Sequence, residues 1–226
     1  MFKRFIIALT LINFWLATAS VFAAGEGNLK MLGFSSDSQF FILTESVRED
    51  ASGIPSAKII IADVATNQCV DGGCFSKEGA EEDTEQQVLH KIYQQTWKRR
   101  KKLKLTPPKT GYQAKGPRFD KKRKTSYYVH DNLKIYVDMQ QKAVPGPYEF
   151  YEKAAVQLTV SAVGKKGKVT KVLDSLSNYR QDAQRYELGR LFVSPDKKSI
   201  AILVRVFFRG FEGPDIRTIV ETAKLF

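Results

Sequence analysis

The sequence has few of the residues from which metal and redox sites are made. Its 226 residues include two cysteines, Cys69 and Cys74, and two histidines, His90 and His130. A structural zinc site takes four such ligands, and redox pairs favour two intervening residues, whereas four separate these cysteines. The stretch CVDGGC predicts a disulfide across an Asp-Gly-Gly turn, with free thiols or a metal pair as alternatives. We expect no metal and no cofactor.

Motifs of the common enzyme classes are also missing. The sequence contains no Gly-x-Ser-x-Gly elbow, no His-Glu-x-x-His motif, no phosphate-binding glycine loop and no dinucleotide fingerprint. The residues around the two histidines do not distinguish a catalytic role from a structural one. The sequence therefore favours a non-catalytic protein, although the enzyme question stays open.

A long apolar run occurs only at the N-terminus. MFKR supplies positive charge, FIIALTLINFWLA is apolar, and TASVFAAGEG brings small residues. This order is typical of a secretory signal peptide, and we predict cleavage after Ala23. An uncleaved anchor is the alternative, but the run is short for a spanning helix. In the mature chain the longest apolar run is interrupted by Arg205, so we predict no transmembrane span. The length of the mature chain predicts a single domain over residues 24–226.

Positive charge is concentrated in one segment. From Lys98 to Lys124 there are thirteen lysines or arginines against one acid, Asp120, and this excess equals the formal net charge of +12. Such a local excess indicates a charged surface rather than a property of the fold. It is either a solvated helix end and loop or a docking surface for an anionic lipid, lipopolysaccharide or an acidic protein surface. Nucleic acid is not expected as a partner of an exported protein. The candidate anion-binding residues are Lys98, Arg99, Arg100, Lys101, Lys102, Lys104, Lys121, Lys122, Arg123 and Lys124.

One helix is predicted over residues 84–104. Thr84 and Gln87 form a capping-box pattern, and apolar residues follow at helical spacing. Acids at the start of this segment and bases at its end complement the helix dipole. Pro107 and Pro108 terminate it. The following residues, 105–125, are rich in proline, glycine and lysine and predict an exposed basic loop.

Most of the remaining chain alternates between apolar and polar residues. LKIYVDM and VQLTVSAV have the period of two that is typical of strands, and Gly164–Gly167 predicts a hairpin turn after the second. The economical fold is therefore mainly β and antiparallel, with one inserted helix and its loop.

Two segments of the chain resemble each other. An offset of 159 residues aligns Gly33–Val64 with Phe192–Ala223 without a gap, matching a Ser-x-Asp turn, two strands and a Gly-and-Pro loop. Each predicts a hairpin, and together they predict an internal repeat. If the two hairpins pack side by side, their acids could meet and bind a cation. The alternative is that these acids face water and prevent edge pairing. The acids concerned are Glu45, Glu49, Asp50, Glu212 and Asp215.

The repeated unit resembles the SPDG strand-turn-strand repeats of Tol-B-type β-propellers, although Ser38 and Lys197 stand where those repeats usually carry glycine. We therefore expect an antiparallel β-sandwich or partial propeller-like sheets. The signal peptide, GFSSDSQFFILTE, the acid-led helix and FVSPDKKSIAILV together resemble the bacterial family of predicted secreted proteins called domain of unknown function 2259. This resemblance implies export in a Gram-negative bacterium, to the periplasm or beyond, and implies no reaction.

The function predicted from these observations is a non-catalytic binding module whose basic arm contacts an anionic partner or envelope surface. The alternative is a hydrolase that uses the carboxylates of the two repeat loops, with or without a cation.

Overall fold

The computed structural model describes residues 27–49, 52–145, 152–164, 167–210 and 213–226. The predicted signal peptide, residues 1–23, lies outside these ranges. The described chain forms fifteen strands and one helix, α1 (Glu85–Lys102), which confirms the mainly β class with a single helix. The strands are β1 (Asn28–Phe34), β2 (Phe40–Arg48), β3 (Pro55–Asp63), β4 (Gln68–Cys69), β5 (Phe75–Glu78), β6 (Tyr112–Gln113), β7 (Lys115–Asp120), β8 (Thr125–His130), β9 (Leu133–Val144), β10 (Lys153–Gly164), β11 (Gly167–Asp174), β12 (Arg180–Gln181), β13 (Ala183–Val193), β14 (Ser199–Arg209) and β15 (Pro214–Lys224).

The strands form three antiparallel sheets. Sheet A has the order β1-β2-β3-β4, with β5 also paired to β3. Sheet B has the order β15-β14-β13-β6. Sheet C has the order β11-β10-β9-β8-β7, with β12 also paired to β10. Within the described ranges no sheet closes on itself into a barrel.

Strand β14 shows how the sheets are stacked. Ile202 and Val204 point to one side and join the apolar cluster shared with sheet C. Ala201 and Leu203 point to the other side and pack with Phe41 of sheet A. Because successive side chains of a strand face opposite ways, sheets A and C must lie on opposite faces of sheet B. This burial on both faces explains why SIAILVRVFF is a nearly continuous apolar run.

Helix α1 covers the outer face of sheet A. Thr84 caps it by accepting the Gln87 N–H at 3.2 Å, and the Gln87 side chain accepts the Thr84 N–H at 2.6 Å. This capping box starts the helix one residue after Thr84. Burying each large aliphatic side chain contributes roughly 1.5–3 kcal/mol. The helix places Val88, Leu89 and Ile92 in one cluster with Ile42, Ile59 and Ile61 of sheet A.

Residues 105–125 are not a single exposed loop, and this part of the sequence interpretation is wrong. Leu105 is buried, Lys109 pairs with Phe34 through both backbone groups, and β6 and β7 join two different sheets. Strand β7 is an edge strand with nearly every side chain exposed. It therefore has no apolar face for alternation to reveal, and an edge also tolerates Pro117.

The two Ser-x-Asp turns carry the same hydrogen bonds. The Ser35 hydroxyl donates to Asp37 and accepts the Phe40 N–H at 3.0 Å. The Ser194 hydroxyl donates to Asp196 and accepts the Ser199 N–H at 2.9 Å. The equivalence concerns the turns, and a common origin of the two hairpins stays a prediction.

The buried hydroxyls are therefore expected to stabilise each turn to a similar degree. Ser35→Ala and Ser194→Ala each remove the acceptor of a backbone N–H, which costs about 1–3 kcal/mol when that group is left unsatisfied. Urea unfolding followed by circular dichroism would measure the change. Ser36→Ala is the matched control, because Ser36 is exposed and, within the described ranges, its hydroxyl has no hydrogen bond, while its backbone N–H donates to the Lys104 carbonyl. A control as destabilised as the two variants would contradict this explanation.

Candidate functional site

The basic residues at the end of α1 do not form one open cluster. Arg100 is only 6% exposed, donates to the Tyr93 carbonyl at 2.9 Å and lies against the Tyr93 and Trp97 rings. Burial lowers the pKa of Arg100. Its assignment to an anion-binding surface is therefore wrong: the helix uses this side chain to pack its last turns.

Two other basic side chains at this helix end have local partners. Arg99 donates to the Gly72 carbonyl in the disulfide turn. Lys104 pairs with Asp37 at 2.9 Å. The hydrogen bond from the Ser35 hydroxyl and, to a smaller degree, the Lys104 ammonium lower the pKa of Asp37 to about 2. Lys98, Lys101 and Lys102 are exposed beside Trp97, which is itself 51% exposed. This end of the helix thus presents three open lysines.

The other predicted basic cluster is the turn between β7 and β8. Lys121, Lys122, Arg123 and Lys124 are all exposed. Asp120 accepts the backbone N–H groups of Lys122 and Arg123, which closes the turn. This turn belongs to sheet C, whereas α1 packs on sheet A. Because sheets A and C lie on opposite faces of sheet B, the two clusters sit on opposite outer layers of the protein.

The outward face of sheet C extends the second cluster. Ile135 and Val137 point inward, so the intervening residues of β9 point away from sheet B. The pairing registers place residues of β7, β8, β10 and β11 on the same side. We call this side together with residues 121–124 the basic face. Its basic residues are Lys115, Arg118, Lys121, Lys122, Arg123, Lys124, Lys134, Lys142, Lys153 and Lys168.

Two tyrosines lie at the centre of the basic face. The Lys134 ammonium is 4.1 Å from the centroid of the Tyr127 ring, and the Arg123 guanidinium is 4.2 Å from the centroid of the Tyr136 ring. Such contacts hold cationic side chains in place over the sheet. The acid Asp138 lies on the same side, next to Tyr136 along β9. At one end of this face the Tyr179 ring lies against the sheet, with its centroid 5.9 Å from the Lys142 ammonium and 5.2 Å from the Lys153 ammonium.

Part of the basic face could have been found from the sequence. Lys134, Tyr136, Asp138, Gln140 and Lys142 occupy every second position of β9, and as far as residue 139 they alternate with apolar residues. What the sequence could not give is the pairing register. It is the register that brings Arg118, Lys142 and Lys168 from three strands, far apart in the chain, onto one side.

The acids of the two hairpin loops are engaged by basic side chains. Glu45 is 2% exposed and pairs with Lys58 at 2.5 Å. Burial lowers the pKa of Lys58, the Glu45 carboxylate raises it, and Arg217 lowers it. Glu49 pairs with Arg217 at 2.5 Å. Glu45 and Lys58 belong to the same hairpin, whereas the pair of Glu49 and Arg217 joins the hairpin of sheet A to that of sheet B.

The structure describes three of the five acids predicted to bind a cation, namely Glu45, Glu49 and Asp215. Asp50 and Glu212 lie outside the described residues, and Asp215 lies on β15 opposite Phe208. In the part of the chain that the structure describes, no three histidine, cysteine, aspartate or glutamate side chains are grouped so that they could hold a metal ion.

The ion pair of Glu45 and Lys58 has a structural task. The Glu45 carboxylate accepts the Thr218 N–H at 3.3 Å, and the Lys58 ammonium donates to the Thr218 carbonyl at 2.8 Å. Thr218 belongs to β15, the edge strand of sheet B, and no strand of the described ranges pairs with the outer side of β15. The two side chains thus replace a strand partner at this edge.

The two cysteines lie at bonding distance, with the Sγ atoms 2.07 Å apart and the Cα atoms 5.8 Å apart. The pair fastens the turn that follows β4. His90 is exposed on α1, and His130 stacks on Tyr112 with ring centroids 4.8 Å apart. Neither histidine is grouped with other described side chains in a metal-binding arrangement.

Comparison with known proteins gives one family. A family model described as a predicted secreted protein matches residues 43–224, which is most of the chain. A search of curated proteins finds no match. No helix among the described residues is long and apolar enough to cross a membrane.

Proposed function

The chain belongs to the family of predicted secreted proteins called domain of unknown function 2259, and from this premise we propose that it is a non-catalytic binding module of the bacterial envelope. In this proposal the protein is exported by its signal peptide to the periplasm of a Gram-negative bacterium. There the basic face docks on an anionic lipid surface.

The charge of the basic face is the observation that carries the proposal. Basic side chains from four strands and a turn share one side of sheet C, where the pairing registers also place the acids Asp120, Asp138 and Asp174. A lysine or arginine near an anionic membrane contributes about 1 kcal/mol of binding free energy. A few such contacts acting together give measurable binding without a pocket.

The shape of the face favours a lipid surface over a single small ligand. Five strands spaced about 4.8 Å apart make a face roughly 20 Å wide. Lysine is a flexible point charge and does not need the fixed geometry that arginine uses for a bidentate contact. Lysines spread over a sheet therefore suit many mobile phosphates better than one fixed anion. The lysines at the end of α1 point from the opposite layer and cannot contact the same flat surface.

No observation favours the hydrolase alternative. Glu45 and Glu49, two of the acids that it requires, are each ion-paired with a basic side chain. Glu45 is in addition buried, which removes it from contact with a substrate or a cation.

Vesicle co-sedimentation tests the proposal directly. The mature protein is mixed with vesicles of phosphatidylcholine containing phosphatidylglycerol, and with vesicles of phosphatidylcholine alone. We expect binding only to the first, and we expect it to weaken strongly between 50 and 300 mM salt, since the Debye length shortens. Replacing phosphatidylglycerol with lipopolysaccharide shows whether its phosphates serve equally well. Equal binding to neutral vesicles would contradict the proposal.

Two variants with equal loss of charge locate the binding surface. The triple variant Arg118→Gln, Lys142→Gln and Lys168→Gln removes three of the ten positive charges of the basic face. The matched control is Lys98→Gln, Lys101→Gln and Lys102→Gln on α1. At about 1 kcal/mol for each charge, the first should lower vesicle partitioning more than tenfold, while the control should change it less than twofold. A larger effect in the control would move the site to the helix end.

The fluorescence of Trp97 is a second readout. It is the only tryptophan in residues 24–226 and lies on α1, on the layer opposite the basic face. Binding through the basic face should leave its emission unchanged while the protein sediments with the vesicles. A blue shift on binding would show that α1 enters the membrane interface instead.

A further inference from the structure

A cleft lies at the edge of sheet B, where sheets A and C approach each other. It has a volume of about 480 Å³ and is open to solvent. Its walls come from β3 and the turn to β4, from the end of β11 with the segment that leads into β12, and from residues 219–221 of β15. This volume is within the range of sites for small ligands, about 300–1,000 Å³.

A polar network crosses the floor of the cleft. Arg180 donates to Asp174 at 2.6 Å and lies 3.9 Å from the carboxylate of Glu221. Asn67 donates to the same glutamate at 2.5 Å. Glu221 is 4% exposed, so this network joins all three sheets around a buried carboxyl group.

The charges of the network nearly cancel. Arg180 and Asp174 form an ion pair. Burial, with a smaller contribution from Asp174, raises the pKa of Glu221 to about 7, while Asn67 and Arg180 lower it. The cleft therefore has little net charge, which disfavours both strongly cationic and strongly anionic ligands.

The rim of the cleft supplies both donors and acceptors. Thr66, Gln68 and Asn178 are exposed there, and each of these side chains can donate and accept a hydrogen bond. Ile60 and Ile219 add apolar surface between the polar groups. A ligand with several hydroxyl groups and apolar C–H faces matches this lining, because each hydroxyl also donates and accepts.

We propose that this cleft binds an uncharged saccharide segment, with Gln68 and Asn178 contacting its hydroxyl groups. The disulfide supports the site, since Cys69 follows Gln68 and its pairing with Cys74 fixes that rim. None of the basic residues of the basic face lines the cleft, and its proposal does not depend on lipid binding.

Titration of the mature protein with uncharged trisaccharides tests the site. The probes are N,N′,N″-triacetylchitotriose and maltotriose, and the comparison probes are the cationic glucosamine trimer and the anionic galacturonic acid trimer. Saturation-transfer NMR and calorimetry should show at least one uncharged probe binding in the millimolar range or tighter, with the charged trimers at least fivefold weaker. Absence of saturable binding by both uncharged probes, or tighter binding of a charged trimer, would overturn the proposal.

Variants of the rim distinguish a ligand site from a structural network. Gln68→Ala and Asn178→Ala should each weaken the bound trisaccharide at least fivefold. Asn178 also donates to Asp174, so Asn178→Ala could weaken binding by disturbing the fold. The Gln68 side chain has no hydrogen bond in the described structure, so a loss of binding in Gln68→Ala reports on ligand contact. Gln140→Ala on the outward side of sheet C is the control and should bind normally. Unchanged affinity in both rim variants would assign the network a purely structural role.

Discussion

Glu45→Gln is expected to destabilise the protein by about 3 kcal/mol. The substitution leaves the Lys58 ammonium without its counter-ion beside sheet B, and breaking a buried ion pair on one side costs about 3–5 kcal/mol. The Lys58 side chain keeps 22% of its exposure, which places the effect at the low end. Urea unfolding at pH 7, with the disulfide intact, measures it.

A double-mutant cycle separates the ion pair from the rest of the site. Glu45→Gln with Lys58→Gln removes both charges, so the double variant should recover most of the lost stability. Lys91→Gln is the surface control: Lys91 is 45% exposed and pairs with Asp83 at 2.7 Å. Exposed pairs contribute about 0–1 kcal/mol, so this change should be small. If the two single losses simply added in the double variant, the carboxylate and the ammonium would not be coupled.

Glu221→Gln is expected to remove a pH dependence of stability. The pKa of Glu221 is about 7 in the folded protein against an ordinary value of 4.5. Between these values the folded state holds a proton that the unfolded state has lost. The stabilisation is therefore fully present below about pH 4.5 and is lost as pH rises through 7, by about 3 kcal/mol at most.

Unfolding by urea at pH 4.5, 6 and 8 would show this difference. The stability of Glu221→Gln relative to the wild type should rise across the series, because the amide carries no proton to lose. Glu78→Gln, at an exposed position of β5, should follow the wild type at each pH. A constant difference between Glu221→Gln and the wild type would mean that Glu221 is not protonated in the folded protein near neutrality.

Some elements could be predicted from the sequence because the interactions that form them join residues close together in the chain. Thr84 and Gln87 marked the start of α1 because a capping box is made within four residues. Gly164 and Gly167 marked the β10–β11 hairpin because the turn closes over adjacent residues. Strands β9 and β10 were visible because each has one face in the core and one outside.

The elements that the sequence did not reveal depend on distant partners. Strand β7 has no apolar face, and only its pairing with β8 makes it a strand. Arg100 looks like its lysine neighbours in the sequence, yet the rings of Tyr93 and Trp97 remove it from the surface. Glu221, in a strand of ordinary pattern, is buried because β3 and β11 converge on the edge of sheet B.

The sequence by itself determined the mainly β class, the single helix, the likeness to a family of predicted secreted proteins and the basic segment. These follow from composition, period and short-range capping, which neighbouring residues decide. Only the tertiary structure decided that the basic residues divide between two opposite layers, that Glu45 is buried against a strand edge, and that a nearly neutral cleft lies among the three sheets. The stacking of the sheets and the pairing register bring together residues that are more than 100 positions apart in the chain. A pattern among neighbouring residues does not predict such contacts.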